Sequence, residues 1–140
     1  MTRYLLDTNV LIATLVDEPG RGTIATELLN MVPPEEMTTS LLNVMEARTV
    51  LAKKKRVEQD EVNEVLGEIV AEIGLLFPET HDLLTANNRQ VETLLYPMDA
   101  ILLSVAENND MDLVTFDGEL LDNGARTPES VLDSVDGSDG

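Results

Sequence analysis

Short apolar runs alternate along this chain with longer stretches in which apolar side chains recur every three or four positions. The first run, Tyr4-Leu5-Leu6, stops at Asp7-Thr8-Asn9 and predicts a buried strand. A turn and a short helix follow through Val10-Leu11-Ile12 and Leu15-Val16. Beyond Glu18-Pro19-Gly20, the spacing of Ile24, Leu28 and Met31 predicts a helix over 23–31, closed by Pro33-Pro34. Met37-Thr38-Thr39 reads as a second, brief strand. Ser40 is placed to cap a helix from 41 to about 55, on which i, i+4 spacing sets Glu46 on the face of Leu42 and Val50, pointing inward.

The stripe Val62, Val65, Leu66, Ile69, Val70, Ile73 predicts a helix over 59–73, ended by Gly74. Leu75-Leu76-Phe77 before Pro78 fits a third strand, and a helix over 81–95 follows with an uncertain boundary near Asn87-Asn88. In the helix predicted over 98–107, Asp99, Leu102, Leu103 and Ala106 share a side, and Asp99 sits in the first turn, where the macrodipole favours an anion. Residues 112–115 form a last strand candidate, with Asp117-Gly118 as the matching turn. From about Asp133 the chain is Ser, Asp and Gly, so the reading is one domain over 1–132 and an acidic flexible tail over 133–140. Strands alternating with helices imply an α/β sandwich with a parallel sheet. Ligands in such sheets collect beyond the carboxyl ends of the strands, where Asp7 and Asp117 both fall.

Composition narrows the chemistry. With 140 residues, one domain with a real core is expected. No Cys is present, which removes disulfides and thiolate zinc sites, and a lone His81 cannot build an imidazole-rich metal site. Aromatic residues are too few for a base-stacking platform. The formal charge is −18, and all three lysines fall in the run Lys53-Lys54-Lys55. Such a surface resembles that of a halophile protein, for which molar salt, with a Debye length of about 3 Å, screens the self-repulsion. No signal peptide or membrane span is evident, so a cytoplasmic location is expected.

Four acids occupy mostly apolar settings: Asp7 after Tyr4-Leu5-Leu6, Glu46 in Val44-Met45-Glu46-Ala47, Asp99 before Ala100-Ile101-Leu102-Leu103, and Asp117 after Leu113-Val114-Thr115-Phe116. Only Arg48, two residues past Glu46, lies near any of them in sequence. A carboxylate in such a place is costly unless a positive charge compensates it. Gathered together without a counter-charge, four of them would cost on the order of 10 kcal/mol at an effective dielectric near 20. Oxygen-only donors favour Mg²⁺ or Mn²⁺, which share their ligands readily with phosphate.

The strand-final Leu6-Asp7-Thr8-Asn9-Val10-Leu11-Ile12, the helical Glu46, the helix start Met98-Asp99-Ala100-Ile101-Leu102-Leu103-Ser104-Val105-Ala106, and Leu113-Val114-Thr115-Phe116-Asp117 together resemble a PIN domain, in order from about Tyr4 to Leu121. The short single-domain architecture is similar to that of VapC-type toxins. This resemblance implies a three-layer sandwich with a central, mainly parallel sheet flanked by helices. It also implies a Mg²⁺- or Mn²⁺-dependent endoribonuclease whose metal ligands are Asp7, Glu46, Asp99 and Asp117, supported by Asn9 and Thr115. The implied products carry a 5′ phosphate and a 3′ hydroxyl. The implied partners are RNA, a cognate antitoxin that occupies the groove, and a second copy of the chain.

Each residue also has a purely structural reading. On that reading Asp7 is a helix cap, Glu46 a part-exposed polar residue, Asp99 a helix-start acid held by the dipole, and Asp117 a plain Asp-Gly turn. Asn9 and Thr115 often satisfy local backbone groups. Lys53, Lys54, Lys55 and Arg56 are candidate RNA contacts, although cations at a helix C-terminus also complement its dipole. Glu119 and Asp122 read as solvated loop acids. Two other function classes compete. One is a catalytically silent PIN scaffold acting as a binding module; the other is a phosphatase with Asp7 as nucleophile, weakened by Asn at position 9.

Overall fold

The strand period of two sorts β1 (Arg3–Leu6) onto two faces: Tyr4 and Leu6 point into one apolar cluster and Leu5 into another. The computed structural model describes residues 2–16 and 18–138, with side chains through Val135. Among these residues β1 is joined by β2 (Met37–Ser40), β3 (Gly74–Leu76) and β4 (Met111–Val114) in one sheet of order β3-β2-β1-β4, parallel throughout. Leu5 pairs with Leu113 and Leu6 with Val114, so neighbouring strands present matching apolar rows. All four side chains are buried, and each contributes about 1.5 to 3 kcal/mol by leaving water.

Helices cover both faces. On the Tyr4/Leu6 side lie α1 (Thr8–Leu15), α2 (Arg21–Met31) and α8 (Pro128–Ser138), through Val10, Leu11, Ala25, Leu28 and Val131. On the Leu5 side lie α5 (Thr80–Thr93), α6 (Pro97–Asn108) and α7 (Gly118–Asp122), through Ala86, Leu102, Val105, Ala106 and Leu120. A third cluster joins Ile12 to Val44, Ala47, Val62 and Leu66 of α3 (Leu41–Thr49) and α4 (Gln59–Glu72). The result is a three-layer α/β sandwich, with the parallel sheet that the alternation of strands and helices implied.

Chain order runs outward from β1 to β2 and β3, then returns to place β4 on the other side of β1. That reversal opens a crevice between the carboxyl ends of β1 and β4. Asp7 follows β1 and Asp117 lies just past β4, and the Asp7 N–H donates to the Val114 carbonyl at 3.0 Å, locking the two ends together.

Several local expectations change. The helix predicted from 41 to about 55 becomes α-helix to Thr49 and then a π turn over Val50–Lys54, with the Lys55 N–H donating to the Val50 carbonyl at 3.1 Å. Gly74 opens β3, where an added Cβ would lie 3.1 Å from Thr38 Oγ1, a closeness that favours a residue without a side chain. No break occurs at Asn87-Asn88, and α5 runs on to Thr93. The stretch expected as a tail over 133–140 begins within α8. α8 continues to Ser138 because Leu132 and Val135 pack on the first core cluster at helical spacing, and residues 139–140 lie outside the described residues. Among the described residues, no helix is long and apolar enough to cross a membrane.

Candidate active site

A cleft of about 550 Å³ opens at the β1/β4 reversal, and Asp7, Glu46, Asp99 and Asp117 all line it. Four chain segments converge there: the end of β1, the middle of α3, the first turn of α6 and the loop after β4. Asn9 lines it too, while Thr115 lies buried behind it.

Asp7 is the most firmly held of the four. It is buried and caps α1, its Oδ1 accepting from the Thr8 N–H at 2.7 Å. The same oxygen accepts from Asn43 Nδ2 at 3.1 Å, and Oδ2 accepts from the Thr115 hydroxyl at 2.8 Å. A carboxylate has about four lone-pair sites, so three donors leave roughly one directed toward the cleft. Cap and cleft residue are therefore compatible roles for one side chain.

Thr115 has a single hydroxyl proton, spent on Asp7. Its oxygen accepts from Asn9 Nδ2 at 3.1 Å and from the Asp117 N–H at 3.0 Å. The Asn9 carbonyl oxygen accepts from the Phe116 N–H at 3.2 Å, which fixes the amide's orientation. One hydroxyl thus ties together the segments that carry Asp7, Asn9 and Asp117.

Asn43 escaped the sequence reading. It is fully buried in the first turn of α3, where Ser40 caps it: Ser40 Oγ accepts from the Asn43 N–H at 3.2 Å, and Asn43 Oδ1 accepts from the Ser40 hydroxyl at 2.9 Å. This leaves its amide nitrogen free to reach Asp7 and, at 3.0 Å, Thr8 Oγ1. The signal was present, since Asn43 interrupts the apolar run Leu41-Leu42-Asn43-Val44 much as the four acids interrupt theirs.

Glu46 departs from its expected orientation. It is exposed and faces the open side of the cleft, whereas Val44 and Ala47 point into the core. Asp117 both caps α7, accepting from the Glu119 N–H at 3.3 Å, and lines the cleft. Asp99 lies in the first turn of α6, as its position after Pro97 dictates.

The electrostatics carry the mark of crowded negative charge. Burial raises the Asp7 pKa against the pull of Thr115 and Thr8, and Glu46 and Asp117 push it the same way. Asp99 is raised to about 6, first by desolvation and then by Asp117, Asp7, Glu46 and Glu119, despite its favourable place at a helix start. Glu119, expected as a solvated loop acid, is exposed yet its charge reaches Asp99.

The donor set fits a hard divalent cation, because it offers carboxylate oxygens in a place that disfavours their own charge. Among the described residues, no group of three or more acidic or imidazole side chains is drawn together closely enough to hold an ion by itself. Mg²⁺ does not require one, since it is commonly held by one or two carboxylates together with waters and phosphate oxygens.

Sequence reasoning found no cation beside the acids except Arg48, but folding brings two others to the cleft: Arg21 from α2 and Lys54 from the π turn. Arg48 itself turns away and donates to Asn63 Oδ1 at 3.3 Å. Of the four candidate RNA contacts, only Lys54 is among the residues lining the cleft; Lys55 lies 3.9 Å from Glu18, and Lys53 and Arg56 are exposed elsewhere. Spacing by four along the helix sets Lys54 on the side that presents Glu46 and Val50, and the π turn over Val50–Lys54 keeps it there. His81 is exposed, 3.5 Å from Glu79 and 3.4 Å from Asp82 at the start of α5.

Comparison with curated proteins yields no match. Among solved structures, PAE2754 from Pyrobaculum aerophilum is 25 % identical, with 97 % of this chain and 90 % of that one covered at a TM-score of 0.73. A toxin-antitoxin complex from Klebsiella pneumoniae is also 25 % identical, over 89 % of this chain and 97 % of the other, at 0.70. VapC20 of Mycobacterium tuberculosis, a toxin that cleaves the sarcin-ricin loop, shares the fold at 19 % identity, over 87 % of this chain and 95 % of that one, with a TM-score of 0.72. The PIN domain family model matches residues 4–125. With that match spanning most of its length, the chain belongs to the PIN domain family.

Proposed function

We propose that this chain is a Mg²⁺- or Mn²⁺-dependent endoribonuclease acting as the toxin of a toxin–antitoxin pair, with Asp7, Glu46, Asp99 and Asp117 as its metal-holding residues. The observation that carries this reading is the meeting of all four carboxylates in one cleft, where desolvation first and the neighbouring carboxylates second raise Asp99 to about 6. Family membership and the toxins among its structural neighbours support the same reading. When bound, the cation supplies positive charge that activates a water and stabilises the oxygen leaving phosphorus.

The protein's own contribution is orientation. Asp7 is fixed by Thr8, Asn43 and Thr115, so the remaining face of its carboxylate is aimed at the ligand before the ligand arrives. Thr115 and Asn9 set Asp117 against Asp7 across the β1/β4 reversal. Glu46 and Asp99 approach on α3 and α6. Of these supports Thr8, Asn43 and Thr115 are buried and Asn9 is half-buried, which shields them from competition by water.

Incubation of RNA with the protein in high salt, with Mn²⁺ or with chelator, tests the reading. Cleavage leaving 5′ phosphate and 3′ hydroxyl ends is expected with metal, and its loss with chelator and in Asp7→Asn. Cleavage that survives either change removes the mechanism. The silent-scaffold reading draws on one observation, that no three acids are already gathered at coordinating distance among the described residues. It predicts no metal-dependent cleavage by the wild type.

The toxin reading brings a cognate antitoxin as partner and the cytoplasm as the place of action. A second copy of the chain is supported by Leu83, Leu84, Val91, Leu94 and Tyr96, large apolar side chains exposed on and just after α5. Equilibrium sedimentation of the isolated protein distinguishes dimer from monomer.

A further inference from the structure

Two cations stand at the acidic cleft, and the carboxylate arrangement uses neither. Arg21 is the first residue of α2, where the dipole and free N–H groups favour an anion, so its charge works against the helix that carries it. Its guanidinium carbon lies 4.9 Å from the centroid of the Phe116 ring. Phe116 is itself half-buried against the core cluster of α1 and α2 and donates its N–H to Asn9, so the ring is a firm platform at the cleft wall. Lys54 reaches the same cleft from the π turn.

Among the described residues, neither cation is in an ion pair, whereas Lys55 approaches Glu18, Arg89 pairs with Glu107 and Arg126 with Asp112. The charges acting most on Asp7 and Asp99 are other carboxylates, each raising the pKa. In a chain with 9 Lys and Arg against 27 Asp and Glu, two cations left unpaired at the most acid-crowded place need another partner. A phosphodiester backbone supplies one. Its scissile phosphate lies over the carboxylates, and its neighbouring phosphates require positive charge beside them.

We propose that Arg21, lying over the Phe116 ring, and Lys54 bind the backbone phosphates next to the one being cut in a single-stranded RNA, an inference that rests on the ribonuclease reading. Arg21 offers a planar fork for two non-bridging oxygens, and the cation–π contact with Phe116 keeps it at the cleft wall. Lys54 acts as a mobile point charge. Both set the register of the strand over the carboxylates and take no part in bond breaking.

The test is steady-state cleavage of a fluorophore-quencher oligoribonucleotide of mixed sequence across a KCl series. For Arg21→Gln, KM rises about five- to tenfold, kcat stays within about twofold of wild type, and the slope of log KM against log [KCl] falls by about 0.7, the value for one lost single-strand phosphate contact. Lys54→Gln gives a similar loss of slope, and the double variant about 1.4. Arg21→Lys regains the slope but not the wild-type KM, because the two-pronged fork is gone. Phe116→Leu, which still fills the core, resembles Arg21→Lys. Unchanged KM and slope in both Gln variants overturn the inference while leaving the nuclease intact. A fall in kcat together with a lowered melting temperature also overturns it, in favour of a structural role. Absence of cleavage by the wild type overturns both this inference and the reading beneath it.

Discussion

Asp99→Asn removes one negative charge from the cleft with almost no change in shape, and it is expected to make the metal-free protein more stable. Folding lifts the Asp99 pKa from 3.8 to about 6, so the native state prefers its protonated form. The stability associated with that proton is fully present below the unfolded value and is lost as pH rises through the folded one. At about pH 7.5 the wild type carries the whole penalty, on the order of 1 to 2 kcal/mol once solvent screening at this partly open site is allowed for. For a domain of this size the variant should melt about 3 to 8 °C higher. Near pH 3.5 to 4, roughly the unfolded-state value, the difference should largely vanish.

Scanning calorimetry of both proteins in chelator at the two pH values measures this. Mg²⁺ should then raise the wild-type melting temperature more than that of Asp99→Asn, narrowing the gap, and the variant should lose cleavage. A variant less stable than wild type at neutral pH in chelator, or a gap independent of pH, refutes the argument that crowded charge shapes this cleft.

Thr115→Val keeps the shape of a fully buried side chain but strands the Asn9 amide and the Asp117 N–H and takes a donor from Asp7. It should cost about 1 to 3 kcal/mol in urea unfolding and, through the misaligned carboxylate, about 10- to 100-fold in cleavage. Asp82→Ala is the contrasting case, since buried Asp82 accepts from the Glu79 N–H and Asn108 Nδ2, each at 2.8 Å, away from the cleft. It should cost about 2 kcal/mol while kcat measured on folded protein stays unchanged. With a formal charge of −18, the melting temperature should rise steadily from about 0.2 to 2 M KCl as repulsion is screened, and a flat profile contradicts that account.

Strand-and-helix alternation was readable because the sheet is buried on both faces: Tyr4-Leu5-Leu6 must be apolar throughout, and the chain says so. Asp7 was readable for the same reason, as a break in a run that otherwise demands carbon, whereas Glu46, read as pointing inward, is exposed. That rule identifies a carboxylate in an apolar setting, not its purpose. Asp82 precedes Leu83-Leu84 and is more deeply buried than Asp7, yet protein donors satisfy it. What separates the two is the company of other acids, a property of tertiary structure.

Arg21 was illegible for that same reason. Arg21 lies far from every acid in the cleft except Asp7 along the chain, and it reaches the cleft only because α2 packs on α1. Lys54 was named with Lys53, Lys55 and Arg56 as a candidate RNA contact, but the sequence alone did not separate it from those neighbours. Near the C-terminus, Leu132 and Val135 sit three apart within a stretch rich in Ser, Asp and Gly, and both pack on the core from α8.

Calorimetric titration of Mn²⁺ into the wild type and into Asp7→Asn, Glu46→Gln, Asp99→Asn and Asp117→Asn, each checked for folding by circular dichroism, tests the central claim most directly. Saturable binding by the wild type that weakens in each of the four variants is the predicted result. Folded wild type that takes up no Mn²⁺, or variants that all bind as tightly as wild type, contradicts it.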